Sequence, residues 1–418
     1  MDVLLIADFC GKLTGKDNNR FVYLANLLCK EHDVEILTSD FYHFSKSYFT
    51  EKPEDFPFKI TLVHEGLYEK NVSLRRLYAH YIWGRSVKAY LCKRKRPDVI
   101  YAAVPPLYAA YLVAEYCEKN NIRFMVDIQD LWPEGFKEVF NLPVVSKLAF
   151  MPFYFLANSV YKRADEIMAV SDMYVNRALR VSAKCKSGNT VFLGTELEAF
   201  DRNVEENARR LNGQNEDYND PIKDLNGNLT NLLRAKRYDE VWLAYCGNLG
   251  TSYDLNLVFK AMRIVNDQRL KFIVMGDGER RKEFETNAKG LQCVFTGKLP
   301  YRQFCGLLAA CDIAVNSISR GSCQSIMNKH ADYVAAGLPV LNTQDCEEYR
   351  RLIDSYNMGF NCENENAADL AAKLKILLND KNLRTKMGRN ARRCAEERFD
   401  RAKTYQLICD IVTKKCSL

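Results

Sequence analysis

Histidine is scarce, the cysteines come without close pairs, and long apolar runs are missing. Five histidines fall at no metal-ligand spacing, and none of the fifteen cysteines forms a Cys-x-x-Cys pair. A zinc site has little support, and the cysteines read as reduced, mostly buried apolar residues, because disulfide frameworks belong to short secreted chains. No stretch approaches the roughly 18 to 20 uninterrupted apolar residues of a membrane-spanning helix. The strand-like segment Val3 to Ala7 has no basic lead or cleavage site before it, so a cytoplasmic protein is expected. Repeats of solenoid length are also absent.

What is present is an α/β pattern that runs twice. The 418 residues, 47% hydrophobic and 27% charged, suffice for two sizeable cores. Short β-branched runs alternate with longer helical periods, as in parallel sheets covered by helices. In the first half the strands are Val3 to Ala7, Val34 to Thr38, Lys59 to Val63, Asp98 to Ala102, Arg123 to Ile128, Glu166 to Ser171 and Thr190 to Leu193. In the second they are Val241 to Cys246, Lys271 to Met275, Gln292 to Thr296, Asp312 to Asn316 and Leu338 to Asn342. Between them, Arg202 to Glu240 carries eight asparagines with Gly213, Pro221 and Gly227, and reads as a polar insertion. The expected division is 1–200, an insertion or linker at 201–240, a second domain at 241–395, and a helical segment at 396–418 that packs back toward the first domain.

In open parallel sheets, ligands bind beyond the carboxyl ends of the strands, where helix N-termini favour phosphates. Three turns stand there in the second half: Gly247-Asn248-Leu249-Gly250-Thr251, Gly276-Asp277-Gly278-Glu279, and Thr296-Gly297, whose backbone could read a base edge. None is a GxGxxG, which lowers the prospect of a nicotinamide or flavin enzyme, and a tight turn without a ligand would look the same. More informative is Ser325 to Val340, a loop, a helix opening near Asn328, and a strand entered through Gly337 and Pro339. Lys329 would stand in the first helical turn, where the dipole favours an anion, and Asp332 could accept both hydroxyls of a ribose. A capped helix with a solvated lysine is the plain alternative.

In the first half, Asp127-Ile128-Gln129-Asp130-Leu131-Trp132-Pro133-Glu134 crowds three carboxylates with a tryptophan at a strand end. Asp130 could equally cap the turn, with Trp132 in the core. From Lys70 to Pro97 there are nine basic residues and no acidic one, interleaved with Leu74, Leu77, Tyr78, Tyr81, Ile82 and Trp83. A second apolar stretch, Leu148 to Leu156, adds Phe150, Met151, Phe153, Tyr154 and Phe155. Such segments suit an interfacial helix beside anionic lipid, although buried helices with solvated arginines would give nearly the same sequence. No nucleic-acid recognition motif accompanies the basic run, and nucleic acid is not an expected partner.

These residues resemble the retaining family-4 glycosyltransferases of the GT-B fold. The resemblance rests on Asn328-Lys329 followed by Asp332-Tyr333-Val334-Ala335-Ala336-Gly337-Leu338-Pro339-Val340. It departs from the family's two glutamates eight apart, having Gln324 and Asp332, and it lacks the usual Arg and Lys between Gly250 and Phe259. The segment Asp127 to Glu134 looks like that of bacterial transferases that build capsule and O-antigen polysaccharide. Similar in the same way are Asn19 to Ala25 with Thr38 to His43, Tyr68 to Leu74, Phe192 to Glu196, and Met387 to Arg392.

The resemblance implies two facing Rossmann-like domains with a cleft between them, and transfer of a sugar from a nucleotide diphosphate, UDP foremost, to a glycan or polyprenyl-diphosphate-linked saccharide. It implies same-face substitution, in which the departing diphosphate helps to deprotonate the acceptor, so the protein positions reactants and neutralises charge. Asp127, Asp130 and Glu134 are then candidates for orienting sugar hydroxyls. Donor candidates are Arg20 in the loop after the first strand, Gly247, Asn248, Gly250, Gly276, Gly278, Thr296, Arg320, Gln324, Asn328, Lys329 and Asp332. With no Asp-x-Asp clamp in the chain, no obligatory metal and no cofactor beyond the sugar nucleotide is expected. Peripheral contact with the inner membrane through 70–96 and 148–156 would follow from a lipid-linked acceptor. The alternatives are a GT-B-fold sugar-nucleotide 2-epimerase, which needs more histidine than the chain offers, and a non-catalytic sugar-nucleotide-binding homologue.

Overall fold

A computed structural model of the chain describes all residues except 12, 14–18, 51–54, 139–149, 212–227, 323–324 and 415–418. It divides into two compact units, 1–193 with 403–418, and 194–402.

The first unit is a seven-stranded parallel sheet in the order β5-β2-β1-β6-β7-β8-β9. Its strands are β1 (Asp2–Ile6), β2 (Asp33–Ser39), β5 (Lys59–Val63), β6 (Val99–Val104), β7 (Arg123–Ile128), β8 (Glu166–Ala169) and β9 (Asn189–Thr190). A two-stranded hairpin, β3 (Phe41–Tyr42) and β4 (Ser47–Tyr48), stands after β2. The central strands β1 and β6 are buried along nearly their whole length, as expected when helices cover both sheet faces. One face packs Trp83, Val87, Val113, Val160 and Tyr161 from helices Leu74–Lys93, Leu107–Asn120 and Met151–Arg163. The other packs Phe21, Leu24 and Leu28 of helix Arg20–Leu28 with Tyr405, Ile408, Cys409 and Val412 of helix Arg401–Thr413. That last helix carries the end of the described chain into the first unit's core.

The second unit is a six-stranded parallel sheet, β12-β11-β10-β13-β14-β15. Its strands are β10 (Val241–Cys246), β11 (Leu270–Met275), β12 (Cys293–Gly297), β13 (Ile313–Asn316), β14 (Val340–Asn342) and β15 (Gly359–Asn361). Helix Leu255–Val265 follows β10, with Asp254 accepting from the Leu257 N–H at 3.1 Å as its N-cap. The stretch read as a polar insertion begins inside helix Leu197–Leu211, which packs on helix Tyr301–Ala309 of this unit, and ends near helix Asn228–Arg234. Near the chain's end, helix Lys381–Cys394 buries Met387, Ala391 and Cys394 on one face. A π turn, Ala395–Phe399, follows it. Among the described residues no helix is long and apolar enough to cross a membrane.

Candidate functional site

At the carboxyl ends of β10, β11 and β12 three turns lock onto one another. The Gly247 N–H donates to Met275 O at 3.0 Å, the Leu249 N–H to Asp277 O at 3.0 Å, and the Gly276 N–H to Gly297 O at 3.0 Å. Gly276 has φ +149°, and a Cβ there would lie 1.8 Å from Gly247 O. A Cβ on Gly278 would lie 2.6 Å from Leu249 O, and one on Gly250 2.8 Å from the Asn248 side chain. These glycines let one turn touch the next, which accounts for their spacing before any ligand is invoked. Asn248 remains exposed, whereas the Thr296 hydroxyl is spent on Gly297 O at 3.0 Å.

Helix Asn328–Ala335 stands beside these turns and is pinned to the sheet by Tyr333. Its hydroxyl accepts from the Cys246 N–H at 3.0 Å and donates to Val315 O at 3.2 Å, tying the helix to β10 and β13. Instead of a Ser or Asp cap, His330 Nδ1 accepts the Met327 N–H at 3.2 Å, and its ring stacks on Tyr349 with centroids 3.7 Å apart. One turn before Tyr333, this anchoring places Lys329 inside the protein at 6% exposure, against the alternative of a solvated side chain. Its Nζ has no hydrogen-bond partner among the described residues and stands 4.7 Å from the Tyr245 ring centroid and 4.1 Å from that of Tyr253.

Burial pulls the Lys329 ammonium down to about 7. Asp332, one helical step away, is pushed up to about 7 by burial, and its Oδ1 is likewise shut off and unpartnered among the described residues. Lys329 Nζ and Asp332 Oδ1, both shut off from solvent and unpartnered among the described residues, thus stand at the N-terminal turns of one helix. Asn328 is exposed at the first position of that helix. Arg320 is not gathered in: it is exposed and pairs with Glu365 at 3.3 Å. Gln324 lies outside the described residues.

In the first unit the structure gives two of the expected residues a different task. Arg20 is 5% exposed and Asp127 fully buried. Arg20 Nε donates to Asp127 Oδ2 at 2.9 Å and Nη2 to Oδ1 at 3.2 Å, while Nη1 reaches Val191 O, Phe192 O and the Tyr405 hydroxyl. All three guanidinium nitrogens are thus engaged within the core, so the pair bolts helix Arg20–Leu28, β7 and helix Arg401–Thr413 together instead of meeting a phosphate or a sugar. Asp130 caps its own turn, accepting from the Leu131 N–H at 2.9 Å and from Trp132 Nε1 at 3.1 Å. Glu134 pairs with Arg177.

Asp130 and Trp132 nonetheless line a cavity of about 280 Å³ with Phe9, His43, Arg76 and Gln129. The segments Thr38 to His43 and Tyr68 to Leu74 meet beside it, where His43 Nδ1 lies 2.6 Å from the Tyr68 hydroxyl. Arg76 stands 5.1 Å from the Trp132 ring and 5.7 Å from that of Tyr68, with its Nε buried and unpartnered among the described residues. Arg76 and His43 were not singled out from sequence. Arg76 was one of nine basic residues in a run, and only the fold separates it from its solvent-facing neighbours.

Comparison with known proteins bears on the fold. Residues 234–394 match the family described as "Glycosyl transferases group 1". A "Probable glycosyltransferase WbjE" of Pseudomonas aeruginosa is 27% identical over 132 residues, 30% of this chain and 33% of that protein, so the match spans about a third of the curated relative. Among solved structures, Anabaena HepE in complex with UDP aligns with a TM-score of 0.68 and 14% identity, covering 99% of this chain and 100% of that one. Sucrose-phosphate synthase from Thermosynechococcus elongatus aligns with a TM-score of 0.71 and 15% identity over 98% and 97%. At these identities the likeness establishes the fold, which is GT-B, with two Rossmann-like domains.

Proposed function

We propose that the chain is a retaining glycosyltransferase of the hexosyl-transferring type, taking a sugar from a nucleotide diphosphate, UDP foremost, to a glycan or lipid-linked saccharide in cell-surface polysaccharide synthesis. The observation that carries this is the buried, unpartnered Lys329 ammonium in the first turn of its helix, with Asp332 following it. A diphosphate would supply the counter-charge Lys329 lacks, and a ribose would supply hydroxyls to Asp332. Solved structures of the same fold were obtained with UDP and with UDP-glucose, and another, WaaG, is a glycosyltransferase involved in lipopolysaccharide biosynthesis, which supports a role in surface polysaccharide.

Lys329 would neutralise the leaving diphosphate, where stabilising developing charge matters most to the rate. With Asp127 committed to Arg20, the chain's share of acceptor handling falls to the cavity of Trp132, Asp130, His43 and Arg76. Its aromatic walls suit a sugar face, and Arg76 suits an anionic group on the acceptor. We also assign membrane contact to the face bearing Leu74, Tyr78, Tyr81, Met151 and Phe155, all exposed.

Thermal unfolding against UDP, GDP, dTDP, CDP, ADP and NAD tests the reading. A ligand at about 100 times its dissociation constant adds roughly 2.7 kcal/mol. Stabilisation by one nucleoside diphosphate names the donor class. Stabilisation by NAD alone, or by none, removes the transferase reading.

A further inference from the structure

Three side chains that the proposed transfer does not use meet in the interior of the first unit. Asp8 follows β1, Glu65 follows β5, and His80 stands in the second turn of helix Leu74–Lys93. They are 5%, 1% and 4% exposed. One ligand atom from each lies within 4.8 Å of the other two. His80 Nε2 and Glu65 Oε1 are 4.0 Å apart, wider than the roughly 3.3 Å between tetrahedral ligands on bonds of about 2 Å, so the side chains would draw in around an ion.

Each of the three residues also has a polar atom left over. Asp8 Oδ2, Glu65 Oε1 and His80 Nε2 are each shut off from solvent, with no hydrogen-bond partner among the described residues. Unpaired polar atoms on three separate segments gathered this closely are unusual in a folded interior, where such groups are nearly always paired. Glu65 is held from behind as metal ligands are: its Oε2 accepts from Ser39 Oγ at 2.7 Å, and its N–H donates to Asp40 Oδ1 at 2.9 Å. Burial holds both carboxyls above their usual range, Asp8 further through repulsion by Glu65. Burial, with Arg76, His43 and Lys46 nearby, keeps His80 neutral, the form with a lone pair to give. Arg76 offsets part of the repulsion between the two carboxyls, and a proton shared between them relieves it further.

We propose that Asp8, Glu65 and His80 form a binding site for one divalent transition-metal cation. The site joins the end of β1, the segment after β5 and helix Leu74–Lys93 behind the cavity wall. His80 lies 6.2 Å from the Phe9 ring and 5.6 Å from the Trp132 ring, both of which line that cavity. Two carboxylate oxygens with one imidazole suit zinc, cobalt or manganese, whereas magnesium prefers oxygen alone. Histidine spacing in the chain concealed the site, because each ligand comes from a different element. The ion would fix the wall against which an acceptor rests and is separate from the donor turns, which belong to the second unit.

The test uses the full chain stripped with a chelator and titrated with cobalt(II) by absorbance and with zinc(II) by calorimetry. Expected are one equivalent bound with proton release, a cobalt spectrum without a thiolate charge-transfer band, and a zinc-dependent rise in melting temperature. Glu65→Gln and His80→Gln, checked for folding by circular dichroism, should each weaken zinc binding more than about 100-fold. Absence of binding to the stripped wild-type chain overturns the proposal. So does a thiolate band, which would assign the metal to the free cysteines, or unchanged affinity in both folded variants. The wild-type cobalt spectrum decides the matter even where a variant fails to fold.

Discussion

At the scale of single residues, the proposed donor site turns on Lys329. Two forces compete over its ammonium: removal from water favours the neutral amine, and the faces of Tyr245 and Tyr253 favour the cation by about 0.5–2 kcal/mol. Burial wins by enough to bring the group to about 7, so a bound diphosphate would draw a proton back onto it. Lys329→Met should weaken UDP binding by about 1.5–3 kcal/mol, roughly 10- to 150-fold, in calorimetry. The sign of the pH effect follows from the depressed value. Above about 7 the free protein loses the ammonium that UDP selects, so affinity falls as pH rises, by up to about tenfold per unit. Asp332 titrates in the same region, with the carboxylate gaining as pH rises, so the wild type minus the variant isolates the lysine. Parallel profiles for the two proteins would remove Lys329 from the phosphate.

Sequence reading found this lysine through its helical position, but not the two tyrosines over it, which come from β10 and the loop beyond. Arg20 and Asp127 failed for a related reason. Each stood at the end or start of an element where ligands bind, yet they lie 107 positions apart and satisfy one another. No local pattern reveals such a pairing. The Asp130 cap, by contrast, was legible as a plain alternative, because its partners are Leu131 and Trp132.

At the scale of elements, the three interlocked turns behave as one object. Their hydrogen bonds run from turn to turn, and Gly276 permits the closest approach. Gly276→Ala should destabilise the protein by more than about 2 kcal/mol, since the added carbon must displace Gly247 backbone and adopt a φ that L-residues avoid. Urea denaturation reads this directly. A midpoint matching wild type would show that the turns are not locked as described. The long strands were visible in sequence, and β5, β7 and β10 have the expected bounds. Missed were the hairpin of β3 and β4, two residues each, and β15, three residues opening on glycine: segments too short for an alternation to register.

At the scale of the whole molecule, aromatic rings run across three helices of the first unit. Tyr78 stacks on Tyr81 with centroids 6.2 Å apart, Tyr81 on Tyr108 at 5.0 Å, and Tyr111 meets Phe155 at 6.3 Å. Exposed Arg75 and Arg85 stand on the helix that bears Tyr78 and Tyr81. Hydrophobicity and positive charge on one face suit an anionic bilayer surface. Co-sedimentation with anionic vesicles should show binding that weakens with salt. Replacing Arg75 and Arg85 together by glutamine should cost about 2 kcal/mol, roughly 30-fold. Equal binding to neutral vesicles would assign the face to another contact.

The second unit is an insertion within the first. The chain leaves the first unit after Leu193 and re-enters it at Lys403. Next to these two points, Thr195 donates to Phe399 O at 2.9 Å and the Arg401 N–H returns the bond to Thr195 O at 3.0 Å. On a ribosome, which delivers the chain in order, the second unit has all its strands before the first has its last helix. Tyr405, Ile408, Cys409 and Val412 must wait until more than two hundred residues of the other unit have been made, and the earliest core to be started is the last to be closed.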